Sequence, residues 1–137
     1  MPAALLAAIL LLLAPALPAP ALADEAEALY AQAATEFHRL RRQDPERIPS
    51  TRQGKGWSAA GRRFLAVHEA YPNHPRGPDA LFSAGLAYRE AYAAGRSPEH
   101  LSEGVALFHR FVNTYPRHGL ADDCLIHIGE IFAQDYG

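Results

Sequence analysis

The 137-residue chain contains one cysteine, Cys124, one methionine and one tryptophan. A single thiol excludes an internal disulfide and cannot build a zinc cage, so stability must come from packing. The net charge is −2 and the pI about 6.4, which leaves no electrostatic case for nucleic-acid binding. No segment alternates apolar and polar residues with period two, so no sheet is expected. The one long apolar run, Ala3 to Leu17, is interrupted by proline and falls short of the roughly 20 residues that a spanning helix needs. Followed by Ala21-Leu22-Ala23 ahead of Asp24, it reads as a secretory signal peptide over residues 1–23, cleaved after Ala23, with no stable transmembrane span. Residues 24–137 are then one small domain.

That domain repeats itself. Phe64, Val67, Tyr71-Pro72, Asp79-Ala80-Leu81, Gly85 and Tyr88 recur 44 residues later as Phe108, Phe111, Tyr115-Pro116, Asp123-Cys124-Leu125, Gly129 and Phe132. Internal periods of this size mark stacked helical units. Apolar spacing and Pro and Gly punctuation predict helices over Glu25–Arg42, Gly56–Tyr71, Pro78–Ala94, Pro98–Tyr115 and Gly119–Asp135. Pro78 and Pro98 are placed at helix starts, with Ser97 as an N-cap. The first, third and fifth helices share one signature, large–small pair–aromatic: Tyr30-Ala33-Ala34-Phe37, Leu81-Ala84-Gly85-Tyr88 and Leu125-Ile128-Gly129-Phe132. The second and fourth share another: Ala60-Phe64-Val67-Tyr71-Pro72 and Gly104-Phe108-Phe111-Tyr115-Pro116. The expected architecture is all-α, with five helices in A-B-A-B-A order.

The A and B signatures resemble the tetratricopeptide repeat, with Leu81, Ala84-Gly85 and Tyr88 matching its A helix and Ala60, Phe64 and Pro72 its B helix. The period departs from that family, at 44 instead of about 34 residues. This long form resembles repeats of periplasmic envelope proteins such as the Tol-Pal accessory protein and the lipoprotein of the outer-membrane barrel assembly machine. A closer likeness rests on Ala26-Glu27-Ala28-Leu29-Tyr30, Trp57, Gly77-Pro78-Asp79-Ala80-Leu81, Leu120-Ala121-Asp122-Asp123 and Ile128-Gly129-Glu130-Ile131. These resemble the N-terminal helical region of periplasmic N-acetylmuramoyl-L-alanine amidases, whose zinc catalytic domain is missing from this chain. The resemblance implies a solenoid, a periplasmic location and a binding groove on the A helices. Its groove positions fall on Asp79, Phe82, Leu86, Arg89 and Glu90 of the third helix and Asp123, Ile126, Glu130 and Gln134 of the fifth.

The residues themselves offer no catalytic set and no cofactor site. The seven histidines include no His-Glu-x-x-His pattern and no i, i+4 pair. His74 and His118 are repeat-equivalent turn residues, read as solvated. Cys124 is expected to be a buried, inert thiol. Between Arg39 and Arg63 there is a net of six positive charges, either a solvated face or a site for cell-wall carboxylates, anionic lipid or an acidic partner. The expected function is a non-catalytic periplasmic scaffold for an envelope protein or peptide. The alternative is the targeting region of a peptidoglycan amidase. Peptidoglycan and a second copy, held through the apolar last helix, are further candidate partners. The sequence also predicts that Gly85→Leu unfolds the unit, that Gly95→Leu in a loop is tolerated, and that Ile131→Asp dissociates a homodimer.

Overall fold

The structure, a computed structural model, describes residues 19–136, so most of the predicted signal peptide lies outside the described residues. Five α-helices follow in order: α1 (Ala19–Arg41), α2 (Ser50–Ala70), α3 (Arg76–Gly95), α4 (Pro98–Thr114) and α5 (Leu120–Gln134). A single 3-10 turn, Pro45–Arg47, separates α1 from α2, and no strand occurs among the described residues. Helix α1 runs continuously through the predicted cleavage point after Ala23.

Consecutive helices pack antiparallel. Along α2 and α3, Gly54 faces Ala91 and Gly95, Gly61 faces Tyr88, and His68 bonds Gly77, so one helix ascends as the other descends. Two turns of identical chemistry produce the reversals. After Tyr71-Pro72, the His74 ring nitrogen accepts from the Arg76 amide at 3.0 Å; after Tyr115-Pro116, His118 accepts from the Leu120 amide at 3.1 Å. Each histidine amide also donates to the preceding tyrosine carbonyl, at 3.1 and 3.0 Å. The two imidazoles therefore satisfy amides that a helix start leaves without partners. They are capping groups, not the solvated residues expected. This capping also explains why α3 starts at Arg76, two residues earlier than predicted, and leaves Pro78 at the third helical position.

The core repeats in the same register. Phe64 of α2 packs between Tyr30 and Phe37 of α1, with ring centroids at 5.7 and 6.0 Å. Phe108 of α4 lies against Gly85 so closely that a Cβ there would sit 2.7 Å from its ring. Both phenylalanines are fully or almost fully buried, worth roughly 1.5–3 kcal/mol each. Trp57, Leu40, Ala60, Ala87 and Ala91 form a second, smaller cluster, with Phe37 edge-on to Trp57 at 5.1 Å.

Three expectations change. Helix α2 begins at Ser50, not Gly56, and thus includes Gly54, which lies against the end of α3. Gly95 is the last residue of α3 rather than a loop residue; a Cβ on it would stand 3.3 Å from Gly54 Cα, and the left-handed turn falls on Arg96 with φ 59°. Tertiary contact here offsets a glycine cost of about 1 kcal/mol in a helix interior. Finally, Ile131 is fully buried, so Ile131→Asp would unfold α5 instead of probing an interface.

Substituting Leu at Gly54 or Gly95, where backbone faces backbone, is therefore expected to destabilise the protein by about 1–3 kcal/mol or more, as it is at Gly85, where the Phe108 ring fills the space. At Gly129, which has nothing within 4 Å, the same change should be neutral or stabilising by up to about 1 kcal/mol. Urea unfolding of the four variants tests this, and a tolerated Gly95→Leu would refute the helix-end contact.

Candidate functional site

The groove residues proposed from the sequence lie on α3 and α5. Phe82, Leu86, Asp79 and Arg89 are half-buried, whereas Glu90, Asp123, Ile126, Glu130 and Gln134 are exposed. Long-range side-chain contacts tie α3 to α1 and to α5. Arg76 at the start of α3 reaches back to Glu27 of α1 at 2.9 Å, lies over the Tyr30 ring at 4.7 Å, and bonds Asp79 at 3.3 Å. Arg89 of α3 reaches forward to Glu130 of α5 at 2.8 Å and to the His127 ring. Phe82 packs on Phe108, Phe111 and His127 with centroids at 6.0, 6.2 and 5.8 Å.

Glu90 stands apart from this group. It borders a cleft of about 390 Å³ with Leu40, Arg41, Gln43, Gln53, Trp57 and Ala94, between the end of α1 and α3. Gln53 fastens the nearby loop by donating to the carbonyls of Pro45 and Ile48 at 2.8 and 2.6 Å. Another cleft, about 450 Å³, lies between α1 and α2 and is lined by Leu29, Gln32, Ala33, Arg63, Ala66 and Val67. None of the nine groove residues lines it.

The electrostatics are those of matched pairs. Hydrogen bonds from Arg76 and Arg89 hold the Glu27 and Glu130 carboxyls below their ordinary range, and Glu27 in turn raises the Arg76 pKa. Burial pushes the Cys124 thiol up to about 12, so it is protonated and enclosed at neutral pH. Among the described residues, no three His, Cys, Asp or Glu side chains group closely enough to hold a metal, and no helix is long and apolar enough to cross a membrane.

Sequence reasoning did not single out His127, and it took His68, beside Glu69 on one helix, for a surface residue, whereas His68 is buried. His127 stacks on Phe108, centroids 5.0 Å apart and planes 8° from parallel, and its Nδ1 faces the Arg89 guanidinium. A guanidinium only donates, so Nδ1 accepts and the ring is neutral. His68 is buried; its Nδ1 lies 3.1 Å from the Gly77 carbonyl, to which it donates. The Tyr115 hydroxyl, edge-on to that ring, donates to the Pro72 carbonyl at 3.1 Å and ties α4 to the α2–α3 turn. The repeat gave no signal for either histidine, because Val112 and Ser83 stand at the equivalent positions.

Compared with known proteins, the chain matches no family model, no curated protein and no solved structure.

Burial lowers the pKa of His68 and His127 below the ordinary 6.5, with Arg89 adding to the effect at His127. As pH falls through 6.5 the unfolded chain takes up protons before the folded one, so this contribution is full above 6.5 and is lost below it. The urea midpoint should therefore fall between about pH 7 and pH 5, with a smaller slope in His127→Gln. A midpoint constant across that window would contradict the neutral, buried assignment.

Proposed function

We propose that this protein is a non-catalytic, exported helical-repeat scaffold that binds an envelope protein or peptide along the side shared by α1, α3 and α5. The observation that carries this reading is the pair of arginine bridges, Glu27–Arg76 and Arg89–Glu130, which join alternate helices into one surface. Half-buried Phe82 and Leu86 supply apolar contact between these charged ends. Solenoids of helical repeats bind extended partners on such surfaces. Cys124, enclosed and protonated, is not itself a nucleophile.

A photo-crosslinking residue placed at Leu86, Ile126 or Gln134 in cells should capture one common envelope partner, and the same residue at exposed His109 of α4 should not. The intact mass from a periplasmic extract should begin at Asp24. Equal capture from His109, or a full-length cytoplasmic product, would reject the reading.

A second reading, contact with peptide-stem carboxylates of peptidoglycan, is favoured by a cleft of about 280 Å³ lined by Pro49, Thr51, Arg52 and Lys55. Neither Arg52 nor Lys55 forms an ion pair among the described residues. Co-sedimentation with purified sacculi should be lost in the double variant Arg52→Glu, Lys55→Glu; unchanged sedimentation would remove this reading.

A further inference from the structure

Helix α3 is buried on two faces and α5 on one. Gly77, Ala80, Ala84, Ala87 and Ala91 of α3 are buried, and Gly61 and Gly95 show that α2 meets this face; the repeat-equivalent Ala121, Cys124, Ile128 and Ile131 of α5 are buried likewise. The neighbouring face of α3, Leu81, Gly85 and Tyr88, is buried as well: the Phe108 ring of α4 occupies the space left by the missing Gly85 side chain, and Tyr88 lies between Gly61 of α2 and Gly104 of α4. The same face of α5 is Leu125, Gly129 and Phe132, continued by Tyr136. There Leu125, Phe132 and Tyr136 are 52, 51 and 51% exposed, and nothing stands within 4 Å of a Cβ on Gly129. A slot that is filled between α3 and α4 is thus presented open on α5.

One acid beside the exposed face has no partner among the described residues. The segment Gly119–Gly137 has Asp122, Asp123, Glu130 and Asp135 and no base. Glu130 and Asp135 are turned to Arg89 and Arg96 of this chain, whereas Asp122, one turn before Leu125, makes no ion pair among the described residues. A basic helix would give Asp122 a partner, which a second α5, having no base of its own, would not.

We propose that the Leu125-Gly129-Phe132 face docks a basic amphipathic α-helix of a partner protein, one carrying a small residue, an aromatic four residues on and an apolar residue three further, with the aromatic ring seated over Gly129. This surface is separate from the α1–α3–α5 side and makes no use of its residues. The contact continues the interface between α3 and α4 by one more helix, with the ring–glycine seat as its anchor and the basic flank meeting Asp122.

The chain contains a helix of this composition. A fluorescent peptide with the sequence of residues 50–72 carries Ala60, Phe64 and Val67 at that spacing, and Arg52, Lys55, Arg62 and Arg63 against Glu69. Titrated with the full chain, it should bind saturably in the micromolar range, about tenfold or more weaker when its Phe64 is Ala, and more weakly at high salt. Gly129→Leu, which fills the seat without touching the core, should leave unfolding intact yet weaken binding about tenfold or more. Absence of saturation up to about 1 mM peptide, or equal binding by Gly129→Leu, overturns the proposal. So does a concentration-dependent dimer of the wild type that Gly129→Leu abolishes, since the occupant would then be a second copy.

Discussion

The packing depends on one contact, a phenylalanine ring of one helix pressed into the space left by an absent side chain on its neighbour. Between α3 and α4 this is Phe108 against Gly85; between α1 and α2, the repeat-equivalent Phe64 packs between Tyr30 and Phe37. A glycine inside a helix costs about 1 kcal/mol, and a fully buried ring contributes roughly 1.5–3 kcal/mol. The exchange is favourable only while the ring is in place. In α5 the glycine is present and the ring is not, which leaves Leu125, Phe132 and Tyr136 half-exposed beside it. The open end is therefore a consequence of the same contact that closes the middle of the molecule.

The aromatic contact sets how closely helices approach, and the turns set which faces meet. His74 and His118 each bond the amide two residues ahead, while Tyr115 reaches from the second turn to the carbonyl of Pro72 in the first. The two turns are thus capped alike and also bonded to each other. Arg76 and Arg89 span from α3 to α1 and to α5. These exposed pairs contribute little stability individually, of order 0–1 kcal/mol. Their structural effect is to fix the charge pattern of the surface, which lets a side built from three separate helices act as one.

Much of this was legible in the sequence for a local reason. Tyr-Pro followed by His reads as a helix stop and restart, and apolar spacing of three and four reads as a helix face, because both depend on residues within one turn. All five helices and the buried Phe64, Phe108 and Cys124 followed from those patterns. Of the nine groove residues, Asp79, Arg89 and Glu130 enter ion pairs and Phe82 packs on His127, but Glu90 borders a different cleft, since its environment is set by the end of α1 and by Trp57. The start of α2 was missed because Gly54 and Gly56 weaken a helix locally, and only contact with the end of α3 makes that stretch worth ordering.

By itself the sequence determined where helices form, which of their faces are apolar and that the pattern repeats, because these are properties of neighbouring residues. Only the tertiary structure decided what each repeated position does. Gly85 is a seat and Gly129 an empty one; Ile131 is core and Phe132 surface; Arg89 finds Glu130 forty-one residues away. Equivalent residues carry equivalent intrinsic preferences. Their burial and their partners depend on which helix lies against them, and that is settled by the order in which the helices stack.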